Sequence, residues 1–432
     1  MINPDSNQED VKLQQRKKIL ESMKTGTINW LEWCVPEEFN LIPAATKNRL
    51  RVIIEGIELA LRVLKLSGCT EVNRNADGAI FAVGSRFQDG KIEVPTVIPT
   101  HLKKTPFDFL EDDEPFPPSK IEMAKLTERW FQYWMETATF LTPETSRQDR
   151  NTTICITDDI LTLTINNCAT EYGTYANEDR PILECEIPVL GHRFSASIPP
   201  LEPSPSFSLR RKADRVYTLA EYVAQGVITA SQHESIKERI LQNKNFLIVG
   251  ATGSGKSTFM NAMLHEISLL DPKTRVICIE EINELQCTVK DKVMLLVPAP
   301  NAKGKESQTT IESLLKHIKR RTPRRIVIGE VRAGEVFHLL DAWNSGHPGG
   351  LVSAHADSAE SGLSKIESCL ELGGWNVSKS AIGRSINCVI SIQPTTLIDP
   401  ETGVQYGARI VDKMLDVERY IPETDSYITT PF

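Results

Sequence analysis

The sequence has no long hydrophobic run. No window of about 18 apolar residues, the length that a membrane-spanning helix needs, occurs in the 432 residues. The first residues, MINPDSNQEDVKLQQRKKIL, are polar and charged and lack the apolar core of a signal peptide. We therefore predict a protein that spans no membrane and stays inside the cell.

The sequence also lacks paired cysteines. Its nine cysteines are an odd number, are widely scattered and include no C-x-x-C pair, which excludes a disulfide framework and gives no support for a zinc site. Cys278 in RVICIEE and Cys388 in NCVISI lie in apolar, strand-like contexts, where a free cysteine packs as a small hydrophobe. We expect buried thiols in a reducing compartment.

An excess of positive charge is missing as well. The balance of 49 basic and 57 acidic residues gives a net charge of -8, which argues against a general basic surface for nucleic acid. One basic run, KHIKRRTPRR at residues 316–325, leaves direct movement of DNA as an alternative function. A cationic helix end that faces acidic neighbours or nucleotide phosphates would explain the same run.

The length and composition predict two globular domains of class α/β. A chain of 432 residues exceeds what one core fills, and 40% hydrophobic with 25% charged residues is typical of soluble proteins. The stretch PPLEPSPSFSLRRK, residues 199–212, is rich in proline and serine and predicts a stiff, extended connector. We predict an N-terminal α+β domain over residues 1–200, a linker over 201–215 and a second domain over 216–432.

The two domains differ in their patterns. In the first, LRVIIEGIELALRVLKLSG and KLTERWFQYWMETATFL predict amphipathic helices, whereas CTEVNRNADGAIFAVG and PILECEIPVLGHRFSASIPP each predict two strands around a turn. Between residues 245 and 372 the second domain alternates strand, loop and helix. Such alternation predicts a mostly parallel sheet covered by helices, with ligands at the carboxyl ends of the strands.

The stretch NFLIVGATGSGKSTFMNAML carries the strongest motif. GATGSGKS fits the pattern G-x-x-x-x-G-K-[ST], follows a strand and opens a helix, which predicts a loop that binds nucleotide phosphates through backbone N–H groups. Lys256, expected on an exposed loop, would reach the β- and γ-phosphates, and Ser257 would hold Mg²⁺. The predicted nucleotide-binding residues here are Gly250, Thr252, Gly253, Ser254, Gly255, Lys256, Ser257 and Thr258.

Three later segments offer groups for hydrolysis. They are RVICIEEINELQC, RRIVIGEVRAGE and NSGHPGGLVSAHA, each of which places charged residues or histidines around the end of a predicted strand. Charge is costly to bury unless it faces a cation, so we expect these groups to meet near the phosphate loop. The candidates are Glu280, Glu281, Glu284, Glu330, His347 and His355, and the catalytic base stays open among Glu281, Glu284 and Glu330.

These segments together carry a family resemblance. GATGSGKST, IEEINELQ, IGEVRAGE and AWNSGHPGGLVSAHA resemble, in this order, the Walker A loop, acidic box, Walker B strand and histidine box of the hexameric ATPases of type IV secretion and conjugation. The resemblance implies a RecA-like P-loop domain over residues 216–432 that hydrolyses ATP with Mg²⁺. It also implies a homo-hexamer, peripheral on the cytoplasmic face of the inner membrane, that works with other proteins of the apparatus.

The resemblance also assigns roles to single residues. Lys256 and Ser257 would bind phosphate and Mg²⁺, Glu330 would be the Walker B glutamate beside the metal, and Glu281 with Glu284 would form the acidic box. His355 would contact the γ-phosphate. The further residues that the resemblance places at the nucleotide are His347, Arg210 and Arg320.

Two alternative functions belong beside this hypothesis. A pilus assembly or retraction motor, or a type II secretion motor, shares the core motifs, but many type II motors carry a four-cysteine zinc module that is missing here, and GHPGG favours the conjugation branch. A nucleotide switch that binds without hydrolysis would need neither Glu330 nor His355. Whether the cargo is protein or DNA stays open.

Overall fold

The computed structural model describes residues 49–50, 52–54, 56–64, 69–84, 91–94, 97–99, 129, 153–188, 190–213, 215–297, 309–398 and 405–432. The chain divides into two compact units between Lys212 and Ala213. This division lies inside the predicted linker. The helix predicted from KLTERWFQYWMETATFL falls almost entirely outside the described residues.

Unit 1 is built on an antiparallel sheet. Its strands are β1 (Cys69–Arg74), β2 (Ile80–Gly84), β3 (Lys91–Val94), β4 (Val97–Pro99), β5 (Thr153–Cys155), β6 (Ile182–Glu186), β7 (Arg193–Ser197) and β8 (Ser206–Arg210), and its helices are α1 (Glu58–Leu64) and α2 (Asp158–Glu171). Six strands form one sheet in the order β3-β2-β1-β8-β7-β6, and β4 pairs with β5 separately. This unit therefore has the predicted α+β character.

Two predicted hairpins are confirmed in unit 1. Strands β1 and β2 pair antiparallel around the Ala-Asp-Gly turn, and β6 pairs with β7 around a turn in which Gly191 has a φ of 66°. The connector differs from the prediction, because Ser206–Arg210 is strand β8 rather than an extended linker. Phe207 and Leu209 are buried and alternate with the polar residues of this strand, a period of two that the surrounding prolines obscure.

Unit 2 is built on a sheet of eight strands. They are β9 (Phe246–Val249), β10 (Arg275–Glu280), β11 (Asp291–Leu296), β12 (Arg325–Ile328), β13 (Leu351–Ala354), β14 (Cys388–Ile398), β15 (Gln405–Ile421) and β16 (Ser426–Pro431). The order is β11-β10-β12-β13-β9-β14-β15-β16. Pairing is parallel from β11 to β14 and antiparallel from β14 to β16.

Helices cover both faces of this sheet. They are α3 (Leu219–Ala224), α4 (Ala230–Leu241), α5 (Lys256–Leu270), α6 (Ile311–Ile318), α7 (Glu335–Asn344), α8 (Ala359–Leu372) and α9 (Lys379–Ser385). Helices α3, α4, α6 and α8 begin with capping boxes, in which the side chains of Thr218, Thr229, Thr310 and Ser358 accept a backbone N–H. The predicted alternation is confirmed, and the fold is the RecA-like α/β arrangement.

The sheet of unit 2 has a separate core layer on each face. The α5 layer contains Phe259 of α5 together with Val411 and Met414 of β15, whereas the α7 layer contains Leu339 of α7 and Leu415 of β15. Strands β9, β12 and β13 are buried at every residue, as expected of parallel strands covered on both faces. Because these strands are parallel, the residues that follow them lie together at the carboxyl edge of the sheet.

The cysteines agree with the prediction of free thiols. All seven cysteines that the structure describes in detail are free, and six of them are buried. None of the described helices combines the length and the apolar character that a bilayer span requires.

Candidate active site

The phosphate loop lies between β9 and α5 at the carboxyl edge of the sheet. Gly255, which caps α5, has a φ of 98° that side-chain-bearing residues rarely adopt. A Cβ at Gly250 would lie 2.2 Å from the carbonyl oxygen of Ile392, so no side chain fits there. Thr252 is exposed and Thr258 is half-buried on the first turn of α5. The loop thus depends on glycine for its shape.

Lys256 is buried, with 8% of its surface exposed. Its Nζ donates to the carbonyl oxygens of Gly250 and Ala251, both at 2.9 Å, and lies 3.2 Å from Nδ1 of His355. The sequence placed this lysine on an exposed loop, and the structure corrects that expectation. The side chain runs back beneath the loop, where the loop carbonyls hold the ammonium group in place.

Ser257 is tied to the acidic box. Its hydroxyl donates to Oε2 of Glu284 at 2.5 Å. Glu280 supports this contact from below, because its Oε1 accepts the backbone N–H of Glu284 at 3.0 Å and of Leu285 at 2.8 Å. The buried Asn261 of α5 donates to the carbonyl oxygen of Glu284 at 3.1 Å. Glu280 and Asn261 therefore fix the position of Glu284.

Glu330 and His355 lie together after β12 and β13. Nε2 of His355 is 2.8 Å from Oε1 of Glu330, and Arg332 donates to Oε2 at 3.2 Å. Since Lys256 donates to Nδ1, the neutral tautomer of His355 carries its proton on Nε2, facing Glu330. Oε1 of Glu330 is buried against this ring, and the structure describes no hydrogen bond to it from another residue.

A cavity of about 180 Å³ opens beside this group. Its lining consists of Glu330, Val331, Arg332, His355 and Lys365. Two of these side chains are cations, and Arg332 also lies 3.6 Å from the exposed Glu281. The carboxylate and the histidine thus face a space that carries positive charge.

Two of the predicted residues lie at the opposite edge of the sheet. His347 precedes β13 and contacts the carbonyl oxygen of Pro323 through Nδ1 at 2.7 Å, whereas Arg320 is exposed in a short 3-10 helix before β12. Because β9, β12 and β13 are parallel, a residue before a strand and a residue after it lie at different edges. The structure does not bring His347 or Arg320 to the phosphate loop of their own chain.

Three of the six lysines and arginines in the basic run at residues 316–325 lie in ion pairs. Lys316 contacts Glu312 at 2.6 Å, and Lys319 pairs with Asp341. Arg325 is buried, and burial lowers the pKa of its guanidinium while the nearby Asp271 partly offsets this effect. These contacts favour a cationic helix end among acidic neighbours over a surface for DNA.

Arg210 lies on β8 of unit 1. Its Nη2 and Nε donate to Oε2 of Glu71 on β1 at 3.1 and 3.2 Å, and the hydroxyl of Ser208 donates to Oε1 at 2.8 Å. Burial raises the pKa of Glu71, but these donors outweigh it and leave the pKa below its usual value. Within its own unit, Arg210 thus forms an ion pair, and its contact with a nucleotide stays a prediction.

One site residue that the sequence did not single out is Arg409 on β15. Its Nε and Nη2 donate to the carbonyl oxygen of Gly253 at 3.2 and 3.1 Å. The sequence analysis also missed Asn261, although a single asparagine among the apolar residues of FMNAML, five residues after Lys256, could have indicated a polar side chain that supports the site. Arg409 lies 153 residues after Lys256 along the chain, and no local pattern links the two.

The loop suits a phosphate group and Mg²⁺ by the chemistry of its donors. Ser254 Oγ is buried within the loop and has no hydrogen-bond partner among the described residues, which leaves a polar group for a ligand to satisfy. Ser257 offers a hydroxyl, and Glu284 and Glu330 offer carboxylates. Oxygen ligands of this kind are those that Mg²⁺ prefers.

Comparison with known proteins identifies the family of this chain. The family described as "Type II/IV secretion system protein" matches residues 183–419, just over half of the chain. The chain is 35% identical over 259 residues to the probable conjugal transfer protein TrbB of Sinorhizobium fredii, covering 60% of this chain and 74% of that protein. It is 35% identical over 231 residues to the conjugal transfer protein TrbB of Rhizobium radiobacter, covering 53% and 68%.

Among solved structures, the chain is similar to the ATPase DotB of Yersinia pseudotuberculosis, with a TM-score of 0.46 and 13% identity, covering 87% of this chain and 80% of that one. The extent of the family match and the coverage of the Sinorhizobium relative establish the assignment. The chain belongs to the type II/IV secretion system protein family.

Proposed function

We propose that this chain is a Mg²⁺-dependent ATPase that works as a homo-hexameric motor of a type IV secretion or conjugal transfer apparatus. One observation carries the proposal: the ring of His355 lies between Lys256 Nζ, at 3.2 Å, and Glu330 Oε1, at 2.8 Å. The residue that binds phosphate is thereby connected to a carboxylate that can act on water. A protein that only binds nucleotide has no need of this connection.

The described residues divide the work between binding and chemistry. Lys256 would place its charge on the β- and γ-phosphates, and Ser257 with Glu284 would hold Mg²⁺. When bound, Mg²⁺ would supply positive charge that neutralises the phosphate oxygens. His355 would meet charge that develops on the γ-phosphate. These roles support ATP hydrolysis as the reaction.

Glu330 is the carboxylate that we propose as the base. Glu330 lines the cavity beside His355, with Oε1 against Nε2 of His355 and Oε2 accepting from Arg332, so we place the attacking water in this cavity. Glu284 is engaged by the hydroxyl of Ser257, and Glu281 is half-exposed near Arg332. Neither of these two carboxylates lines the cavity beside His355.

The relatives' names support the type of apparatus. Proteins called conjugal transfer and type IV secretion proteins are the ones that this chain matches over much of their length. We propose that the chain acts at the cytoplasmic face of the inner membrane, in peripheral contact with it and with other proteins of the apparatus. No described feature favours a pilus motor or a nucleotide switch over this function.

The first prediction concerns the metal. Glu284→Gln should raise the Mg²⁺ concentration needed for half-maximal ATP turnover by about tenfold, because a neutral amide supports Ser257 and the metal less well than a carboxylate. A phosphate-release assay over a range of MgCl₂ concentrations measures the effect. Glu234→Gln, at an exposed ion pair of α4, is the matched control and should leave the Mg²⁺ dependence unchanged. Equal Mg²⁺ curves for Glu284→Gln and wild type would remove Glu284 from the metal site.

The second prediction concerns assembly. In a ring, an arginine outside the phosphate loop completes the neutralisation of charge on the nucleotide, and Arg210 is the candidate. Arg210→Ala should lower turnover at least about 30-fold while changing the dissociation constant of ATP less than about threefold. Light scattering after size exclusion should give the mass of six chains when ATP is present.

Glu71→Gln separates this role from a structural one. It breaks the ion pair with Arg210 but leaves the guanidinium available, so its turnover should stay close to that of the wild type. If Glu71→Gln and Arg210→Ala lose activity equally, the ion pair matters only for the fold of unit 1. A monomer with full activity that is indifferent to Arg210→Ala would contradict the ring.

A further inference from the structure

Arg409 makes an unusual contact with the phosphate loop. Two of its donors, Nε and Nη2, converge on one neutral acceptor, the carbonyl oxygen of Gly253. A Cβ at Gly255 would lie 2.8 Å from Cδ of Arg409, so the stem of the arginine rests against the loop. Among the described residues, no atom lies within 4 Å of the Cβ position at Gly253, so no side chain packs against that side of the residue. The arginine is thus the side chain that holds this point of the loop.

A β-bulge directs Arg409 towards the loop. Ser391 of β14 pairs with Lys413, but the next residue, Ile392, pairs with Val411, so Asp412 is an extra residue in β15. Met414 and Val411 consequently both face the α5 layer, and Arg409, two residues further, lies on the same side. Without the extra residue, Ile410 would face the loop and Arg409 would point to the other face of the sheet.

The contact fixes the orientation of one peptide group. In a trans peptide, the carbonyl oxygen and the following N–H point in opposite directions. Because Arg409 holds the carbonyl of Gly253 outwards, the N–H of Ser254 points into the loop, where it donates to the carbonyl oxygen of Ala251 at 3.2 Å. Gly253, with a φ of 73°, has no Cβ to restrict this peptide, so the contacts with Arg409 and Ala251 are what hold it.

Arg409 also places a positive charge beside the phosphate loop. Lys413, four residues later on the same strand, is paired with Glu360. Arg409 forms no such ion pair within the part of the chain that the structure describes. Its positive charge therefore remains beside a loop whose inward N–H groups suit an anion.

We propose that Arg409 is a positioning residue for the phosphate loop, which keeps the carbonyl oxygen of Gly253 turned away from the bound phosphate. The inference rests on the proposed nucleotide-binding function and adds a residue from the far end of the chain to it. Arg409 acts through the loop and takes no part in the hydrolysis itself. Its loss therefore weakens the binding of nucleotide more than it slows the chemical step.

The test is the split between binding and turnover. Arg409→Ala should raise the dissociation constant of Mg·ATP about tenfold, because the carbonyl oxygen of Gly253 is then able to turn towards the phosphate, and should leave kcat within about twofold. Arg409→Lys, which keeps the charge and one donor, should recover about half of the loss on a logarithmic scale. Lys413→Ala is the matched control from the same strand and should bind as the wild type does. Titration with a fluorescent ATP analogue and a phosphate-release assay give the two constants.

The outcomes separate this inference from the proposed function. If the wild type binds Mg·ATP and Arg409→Ala binds it equally well, the positioning role is overturned and the ATPase proposal stands. A lower kcat at an unchanged dissociation constant would also overturn the role, since it would place Arg409 in the chemistry. If the wild type does not bind Mg·ATP, both proposals fail. Should Arg409→Ala not fold, as judged by circular dichroism, Arg409→Lys decides between the first two outcomes.

Discussion

Lys256→Ala is expected to weaken Mg·ATP binding by about 100-fold, since a hydrogen bond from a charged donor contributes up to about 3 kcal/mol. Turnover should fall to background for the same reason. The loss should be this large because the ammonium group is already in place: the carbonyls of Gly250 and Ala251 and the ring of His355 hold it before any phosphate arrives. Isothermal titration with Mg·ATP and a turnover assay measure both effects.

The buried position of Lys256 makes a control for folding necessary. Removing a side chain that is 8% exposed leaves a gap beneath the loop, so thermal unfolding should be compared with that of the wild type. Lys273→Ala, at an exposed position after α5, controls for the loss of one positive charge from unit 2. Undiminished hydrolysis by a folded Lys256→Ala protein would contradict the assignment of the phosphate loop.

Glu330→Gln should separate binding from chemistry. The amide keeps the shape of the side chain beside His355 and Arg332 but loses the negative charge that prepares a water for attack. We expect ATP affinity to change less than about threefold and turnover to fall at least about 100-fold, the usual scale for the loss of a general base. Binding and single-turnover measurements on the same preparation would show the difference.

Glu335→Gln is the matched control for Glu330→Gln. Glu335 is the first residue of α7, at the end of the same connection, but its carboxylate accepts the backbone N–H groups of Arg332 and Ala333, and the residue does not line the cavity beside His355. Its replacement should leave turnover within about threefold. A Glu330→Gln protein that hydrolyses ATP normally would move the role of base to Glu281 or Glu284.

The sequence predicted best what is local along the chain. The phosphate loop is one contiguous motif between a strand and a helix, so its position at the sheet edge followed from the pattern alone. The same rule that places ligands at the carboxyl ends of strands would have separated His347 from His355, because β13 lies between them. Their shared motif suggested one site, but a strand of four residues carries the chain from one edge of the sheet to the other.

Residues that support the site from a distance could not be predicted in this way. Glu280 was one of several acids in a run, and only its buried position beneath the backbone of Glu284 shows that it positions a neighbour. The direction of the Arg409 side chain depends on a β-bulge in β15. The bulge cannot be recognised from the sequence, because charged residues already interrupt the alternation of hydrophobic residues in this strand. The start of β14 was noted only as the strand-like context of Cys388, and β15 and β16 were not predicted.

The central place of β9 has a consequence for how unit 2 is made. Its parallel neighbours, β13 and β14, both come later in the sequence, and Asn245 just before β9 bonds to Asn387, 142 residues further on. During synthesis, β9 can therefore pair with a neighbouring strand only after most of unit 2 has been made. Such long-range pairing slows folding and leaves an apolar strand exposed to other chains meanwhile. Synthesis of β14 supplies the second neighbour of β9, and only the following strand, β15, brings Arg409 to a loop that was made more than 150 residues earlier.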